Sequence, residues 1–193
     1  MKVFINPGHA ANGEPDPGAV HNFFNFRECD IALSIGNLVK RFLLRAGCYV
    51  ELLQSHNLNG EAPEYGKSVV ESANDWEADV FVSIHCNAFD TTVRGAETLV
   101  YDMTGGGKTL GDCIQKQLVE TVQKIDPEFP DRGLKSRPLL CVLRSTEMPA
   151  VLVECGFIDN DYDALIMMYR QQDIAAAIAR GVTDYWQKIS REE

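Results

Sequence analysis

What this 193-residue chain lacks narrows its identity first. No apolar stretch approaches the roughly 20 residues that cross a bilayer. Runs such as Val80-Phe81-Val82 and Ala175-Ala176-Ala177-Ile178-Ala179 stop far short of that. The six cysteines (29, 48, 86, 113, 141, 155) form no Cys-x-x-Cys pair and sit mostly within apolar runs, so they read as buried free thiols rather than a disulfide framework. Basic residues are scarce: 18 Lys and Arg against 28 Asp and Glu leave a formal net charge of −10. Nucleic-acid binders carry a basic face, and the densest basic group here, Lys40-Arg41 with Arg45, reads as the solvated face of a helix. Nucleic acid is therefore not an expected partner, whereas acidic groups leave a metal site open. No repeat, low-complexity tract or Ser/Pro/Gly linker divides the chain. Size scaling buries about 70% of the unfolded surface, which suits one domain spanning residues 1–193. The opening residues, Met1 to His9, have neither an apolar h-region nor a cleavage site. The expectation is that the chain stays where it is made or has had a signal removed.

What is present is ordinary globular composition, 45% hydrophobic and 24% charged, with short β-rich runs alternating with longer helical patterns. Lys2 to Asn6 is a strand stopped by Pro7-Gly8. Ile31, Ile35, Leu38, Val39, Phe42 and Ala46 recur at helical spacing, and Gly47 supplies a stop. Further strands are expected over Cys48–Leu53, Asp79–His85, Glu97–Tyr101, Leu139–Leu143 and Ala150–Cys155. Helices are expected from Pro63 to about Glu77, from Thr109 to Ile125, and from about Asp161 to Ile189 with a break near Gln171-Gln172. This alternation predicts an α/β fold with a largely parallel sheet and helices on both faces. Sites in such sheets form beyond the carboxyl ends of the strands. His9 follows the first strand, Glu28 stands at the mouth of the first helix, His85 ends the third strand, and Glu154 ends the strand after Pro149.

Catalytic zinc (Zn2+) commonly takes three protein ligands, often two histidines and a carboxylate, and keeps a position for water. His9, Glu28 and His85 supply such a set. A further carboxylate must move the proton from water to the leaving nitrogen, and Glu154 is placed for it. Singly, each of these residues is more often structural than functional. Cys29, Cys86 and Cys155 each follow a candidate residue, but successive strand side chains face opposite ways, so Cys86 and Cys155 should face the packed side. His21 reads as a solvated loop histidine and His56 as a surface residue. Arg144 could hold a substrate carboxylate or pair with a nearby acid. Gly105-Gly106-Gly107-Lys108-Thr109 lacks the first glycine of a phosphate loop and reads as a turn before a helix.

The wording of the chain resembles the zinc-dependent N-acetylmuramoyl-L-alanine amidases of type 3. The matching segments are Ile5-Asn6-Pro7-Gly8-His9, Asp16-Pro17-Gly18-Ala19 and Glu28, then Ala73-Asn74 and Ala78 through Ala88 around His85. Gly95-Ala96-Glu97-Thr98, Arg132-Gly133-Leu134-Lys135, Val142-Leu143-Arg144 and Pro149 through Asn160 follow in family order. The resemblance runs from residue 2 to about 188. It implies a six-stranded, mostly parallel sheet with helices on both faces and zinc on His9, Glu28 and His85. It further implies Glu154 as general acid/base and cleavage of the amide between N-acetylmuramic acid and the L-alanine of peptidoglycan stem peptides.

The chain departs from the family pattern at Asn6, where the family has Asp, which would change a partner of His9. It departs also at Leu52 to His56, which lacks a Thr-Arg pair, and at Lys67 to Ser72, which lacks an arginine. Phe89 to Leu110 is short and glycine-rich and carries no sequence for the site-blocking helix that some relatives insert there. Competing readings are another zinc hydrolase on this fold, a non-catalytic wall-binding module, and a cysteine amidase using Cys86. The expected partner is the peptidoglycan (muropeptide) substrate, and no obligate protein partner is evident. A phage-type lysin, an enzyme released by lysis of a mother cell, and a domain cut from a larger protein all fit a wall substrate outside the cytoplasm.

Overall fold

The middle of the sheet is built from two strongly apolar runs rich in β-branched residues, which are stable as strands only when both of their faces are covered. In the computed structural model, which describes residues 1–191, these are β3 (Val80–Asn87) and β6 (Ala150–Phe157). They lie side by side and parallel, with β1 (Lys2–Pro7) and then β2 (Tyr49–Leu52) parallel on one flank. On the other flank β4 (Ala96–Val100) runs antiparallel to β6, and β5 (Asp131–Ser136) closes the sheet parallel to β4. The order is β2-β1-β3-β6-β4-β5. This is the expected six-stranded, mostly parallel α/β sheet.

Side-chain alternation divides the core unequally. Val3, Ile5, Val80, Val82, Ile84, Cys86, Val151, Val153 and Cys155 face a large cluster shared with α1 (Glu28–Arg45), α3 (Gly105–Val122) and α6 (Gln171–Ile189). The intervening Phe4, Phe81, Ala150 and Leu152 face a smaller cluster under α2 (Val69–Asp75) and α4 (Cys141–Arg144). Continued toward the carboxyl ends of β3 and β6, that second face carries His85 and Glu154, and the two are direct neighbours in register. Cys86 and Cys155 are buried on the opposite side, as strand geometry requires. Cys29 is also buried, Cys48, Cys113 and Cys141 are half-buried, and all six thiols are free.

Several boundaries differ from the sequence reading. Leu139–Leu143 is not a strand: Cys141–Arg144 forms the single helical turn α4. Both neighbours of β6 are already β3 and β4, so no place remains for another strand there, and the chain has only to turn between β5 and β6. The sixth strand is β5, whose Asp-Arg-Gly-Leu-Lys-Ser sequence carries little β signal. Pro63 opens only a short 3₁₀ turn, Pro63–Tyr65, and α2 begins at Val69, capped by the Ser68 hydroxyl accepting from the Glu71 N–H at 3.1 Å. The glycine run starts α3 rather than preceding it. The last helical region, by contrast, keeps its expected ends and its break, which falls at Arg170 after α5 (Asp161–Tyr169). Among the described residues no helix is long and apolar enough to cross a membrane.

The tightest helix contact is between α3 and α6. A Cβ at Gly181 would lie 2.5 Å from the Ile114 Cα and 2.8 Å from its backbone nitrogen. Gly181→Ala should therefore destabilise the protein although alanine favours helix by about 1 kcal/mol. A net loss of roughly 1–2 kcal/mol is expected from overpacking, lowering Tm by roughly 2–8 °C at this size. A Tm at or above the parent value would show that the two helices do not meet at this distance.

Candidate active site

Three elements converge at the carboxyl end of β1 and β3. His9 leaves β1 two residues beyond its end in a left-handed conformation, φ 69°. Glu28 is the first residue of α1, buried with its side chain turned toward the sheet. His85 projects from β3 three residues before Ala88 begins the following loop. One oxygen joins them: Glu28 Oε1 lies 2.9 Å from His9 Nε2, 2.9 Å from His85 Nδ1, and accepts the Cys86 N–H at 2.9 Å. Glu28 Oε2 accepts the Ala19 N–H at 2.9 Å. The approach needs two residues without side chains. A Cβ at Gly8 would sit 2.3 Å from His85 Cε1, and one at Gly18 would sit 2.5 Å from His9 Cδ2 and 2.6 Å from Glu28 Oε2.

The electrostatics follow from this packing. Burial pulls the His9 imidazole down, but hydrogen bonds and charge from Glu28 and Asp16 outweigh it and raise its pKa from 6.5 to about 9. Burial works to raise the Glu28 carboxyl, yet its bonds to His85 and His9 hold it well below the usual carboxylate range. Glu154 has no such partner. Burial, then the charges of Glu28 and Glu97, push its pKa from 4.5 to about 8, against a smaller opposing effect of His9. Its Oε2 is shielded from solvent and makes no hydrogen bond. Burial likewise drives the Cys86 and Cys155 thiols far above the ordinary cysteine value.

Sequence reasoning named the four residues at this centre but missed those that hold them. Asp16 accepts from His9 Nδ1 at 2.8 Å, which leaves Nε2 aimed at the centre, and its other oxygen takes the Gly18 N–H at 3.0 Å. Asp16, not residue 6, is thus the carboxylate behind His9, the position such a group takes where a histidine ligates metal. Asn6 instead bonds the Ser83 hydroxyl at 2.9 Å and the Leu53 carbonyl at 3.0 Å. Gln54, in the segment lacking the family's Thr-Arg pair, donates to the Gly8 and Cys29 carbonyls at 3.0 and 2.8 Å and so ties the His9 loop to α1. His21 is not solvated. It is buried, contacts Asp161 at 3.1 Å and accepts from the Phe23 and Phe24 N–H groups, so it pins a loop. His56 is half-buried, edge-on to Tyr65. Arg144 is exposed beside Tyr101, Asp102 and Pro149 at the opposite end of β6, and pairs with no acid among the described residues.

The donor set suits a cation. One ligand atom from each of His9, Glu28 and His85 lies within 4.8 Å of the others. Two imidazoles and a carboxylate are the kind of set that holds catalytic zinc with a position left open, and a cation there would take up the charge now concentrated on Glu28.

Comparison with known proteins places the chain in a family. A family model described as N-acetylmuramoyl-L-alanine amidase matches residues 3–184. The N-acetylmuramoyl-L-alanine amidase CwlM of Bacillus licheniformis is 34% identical over 182 residues, which are 94% of this chain and 65% of that protein. The chain thus spans just under two thirds of that relative. Among solved structures, the N-acetylmuramoyl-L-alanine amidase AmiC2 of Nostoc punctiforme superposes with a TM-score of 0.81 at 30% identity, covering 97% of each chain. The catalytic domain of CwlV from Bacillus (Paenibacillus) polymyxa gives 0.80 at 28% identity, over 96% of this chain and 98% of that one. The chain belongs to the N-acetylmuramoyl-L-alanine amidase family.

Proposed function

We propose that the protein hydrolyses the amide between N-acetylmuramic acid and the L-alanine of peptidoglycan stem peptides, with zinc held by His9, Glu28 and His85 and Glu154 as general acid/base. On this reading it acts on the extracytoplasmic cell wall. When bound, the ion would lower the pKa of water from 15.7 toward about 7 and polarise the scissile carbonyl. His9 and His85 are fixed for ligation by Asp16 and by the β3 backbone, and Glu28 by the Ala19 and Cys86 N–H groups. The observation that carries the acid/base assignment is Glu154 Oε2, buried and unpartnered one strand from His85. Burial raises the Glu154 carboxyl to a pKa of about 8 in the metal-free protein, and a carboxyl poised toward neutrality can take a proton from water and pass it to a leaving nitrogen. A cysteine nucleophile is disfavoured because Cys86 faces the helix-covered core, away from His85.

Glu154→Gln should bind zinc as the parent does and lose turnover on muropeptides by a factor of about 10²–10⁴. Metal analysis and mass spectrometry of the digest on the same sample check this. Loss of zinc would make Glu154 a ligand, and retained turnover would remove it from the chemistry.

The pKa shifts also set a pH dependence for the metal-free protein. The folded state holds the Glu154 proton up to about pH 8, whereas an ordinary carboxyl releases it near 4.5. Across that window the folded state binds more protons, so stability falls as pH rises. His9 acts in the same direction, its contribution being complete below 6.5 and lost through about pH 9. Thermal midpoints should therefore favour Glu154→Gln over the parent increasingly from pH 5 to pH 8. Parallel curves for the two proteins would show that Glu154 is not shifted.

A further inference from the structure

Beyond the metal centre, the same face of the sheet holds a second charged group. Glu97 on β4 is directly opposed to Glu154 on β6, an antiparallel pairing that puts their Cα atoms roughly 4.5–5.5 Å apart with side chains on one face. Glu97 is buried. Its Oε2 accepts from Arg132 Nε at 2.9 Å, and its Oε1 accepts from Asn87 Nδ2 at 3.2 Å. Asn87 stands two residues beyond His85 on β3, so β3, β4, β5 and β6 all contribute to this corner.

Arg132 is held more firmly than a half-buried arginine needs to be for neutralising one acid. Its Nε is bonded to Glu97, and its guanidinium carbon lies 4.9 Å over the Phe157 ring. Its terminal nitrogens, Nη1 and Nη2, donate to no described residue, and about a third of the side chain is open. The neighbouring Asp131 does not compete for them, since its Oδ1 accepts from Gln115 Nε2 at 2.7 Å and from the Gly133 N–H at 2.9 Å. A guanidinium fixed at Nε presents its outer edge as a planar two-donor fork, which matches a carboxylate. In a corner that holds the carboxyls of Glu97 and Glu154, this fork keeps two donor groups that no described residue uses.

We infer that Arg132, positioned by Glu97 and Phe157, is a specificity-determining residue that binds a free carboxylate of the stem peptide beside the scissile amide. The inference rests on the amidase reading above. Reach sets where that carboxylate must be. Two strand spacings separate β6 from β5, about 10 Å, and an extended peptide advances roughly 3.3–3.6 Å per residue. The carboxylate therefore belongs to one of about the first three residues after the scissile bond. Stem peptides that carry a carboxamide there present an amide N–H to the fork and lose one of its two acceptors.

The test uses the zinc-loaded protein and a matched pair of probes, N-acetylmuramoyl-L-alanyl-γ-D-glutamyl-L-lysinamide and its D-isoglutaminyl counterpart, whose γ-carboxyl is closed in a peptide bond so that they differ only in a free α-carboxylate against a carboxamide. The parent should favour the acid in kcat/KM by about tenfold or more, the worth of a hydrogen bond to a charged group, mainly through KM. In Arg132→Gln this ratio should fall toward one, and Arg132→Lys should keep part of it, since it retains charge without the fork. Glu97→Gln, which loosens the Nε anchor, should also shrink the ratio. An Arg132 that served only to neutralise Glu97 would lower both substrates equally and leave the ratio intact, and that result overturns the inference. The same ratio is read independently from the equilibrium binding of both probes to Glu154→Gln. If the parent cleaves neither probe, the amidase reading fails, and the binding ratio alone then decides the role of Arg132.

Discussion

Glu28 Oε1 sits where two imidazole nitrogens and a backbone N–H meet, each 2.9 Å away. Gathering those groups on one oxygen dictates much of what surrounds them. β1 and β3 must be adjacent and parallel so that His9 and His85 leave the same edge. α1 must begin at Glu28, which points its side chain into that edge, and helix start and sheet edge can close only where Gly8 and Gly18 remove two Cβ atoms. The arrangement concentrates charge in a shielded place, which is costly unless the charge is paired. Asp16, the Ala19 and Cys86 N–H groups and the two histidines supply the pairing, and a metal ion would supply more.

Strand alternation turns that local demand into a division of labour. Each of β3 and β6 buries one side, Ile84, Cys86, Val153 and Cys155 among it, under the three long helices. The other side starts in a thin apolar cluster under α2 and α4 and ends in His85 and Glu154. A one-residue slip in either strand would exchange thiol for imidazole or carboxyl and would bury the wrong set. The chemistry is therefore specified by the same register that fills the core. The antiparallel pairing of β4 with β6 extends the polar corner toward Glu97 and Arg132, because it sets Glu97 against Glu154.

Legibility in the sequence followed the strength of the local signal. β1, β3 and β6 are dense in β-branched and apolar residues, and His9, His85 and Glu154 stand at or near their ends while Glu28 opens α1, so pattern and motif led to them together. The strands outlast the sequence reading, which put His85 and Glu154 at strand ends. β3 continues to Asn87 and β6 to Phe157. β5 was hidden because an edge strand with three charged residues and a glycine has no alternation to detect, and its pairing with β4 passes through an irregularity in register. Leu139–Leu143 imitates a strand in composition, but the sheet had no free edge beside β6 to receive it. Asp16 and Gln54 could not be recognised from spacing, since their roles exist only once the His9 loop folds back on α1. Burial of His21 depends on Asp161, 140 positions away.

The central claim is that one cation occupies the point shared by His9, Glu28 and His85. Diffraction from zinc-loaded crystals, recorded on both sides of the zinc absorption edge, tests it most directly. The expected result is a single anomalous peak at about 2.0–2.2 Å from His9 Nε2, His85 Nδ1 and a Glu28 oxygen. A peak at the cysteines or at other carboxylates, or none at this point in fully loaded protein, would contradict it.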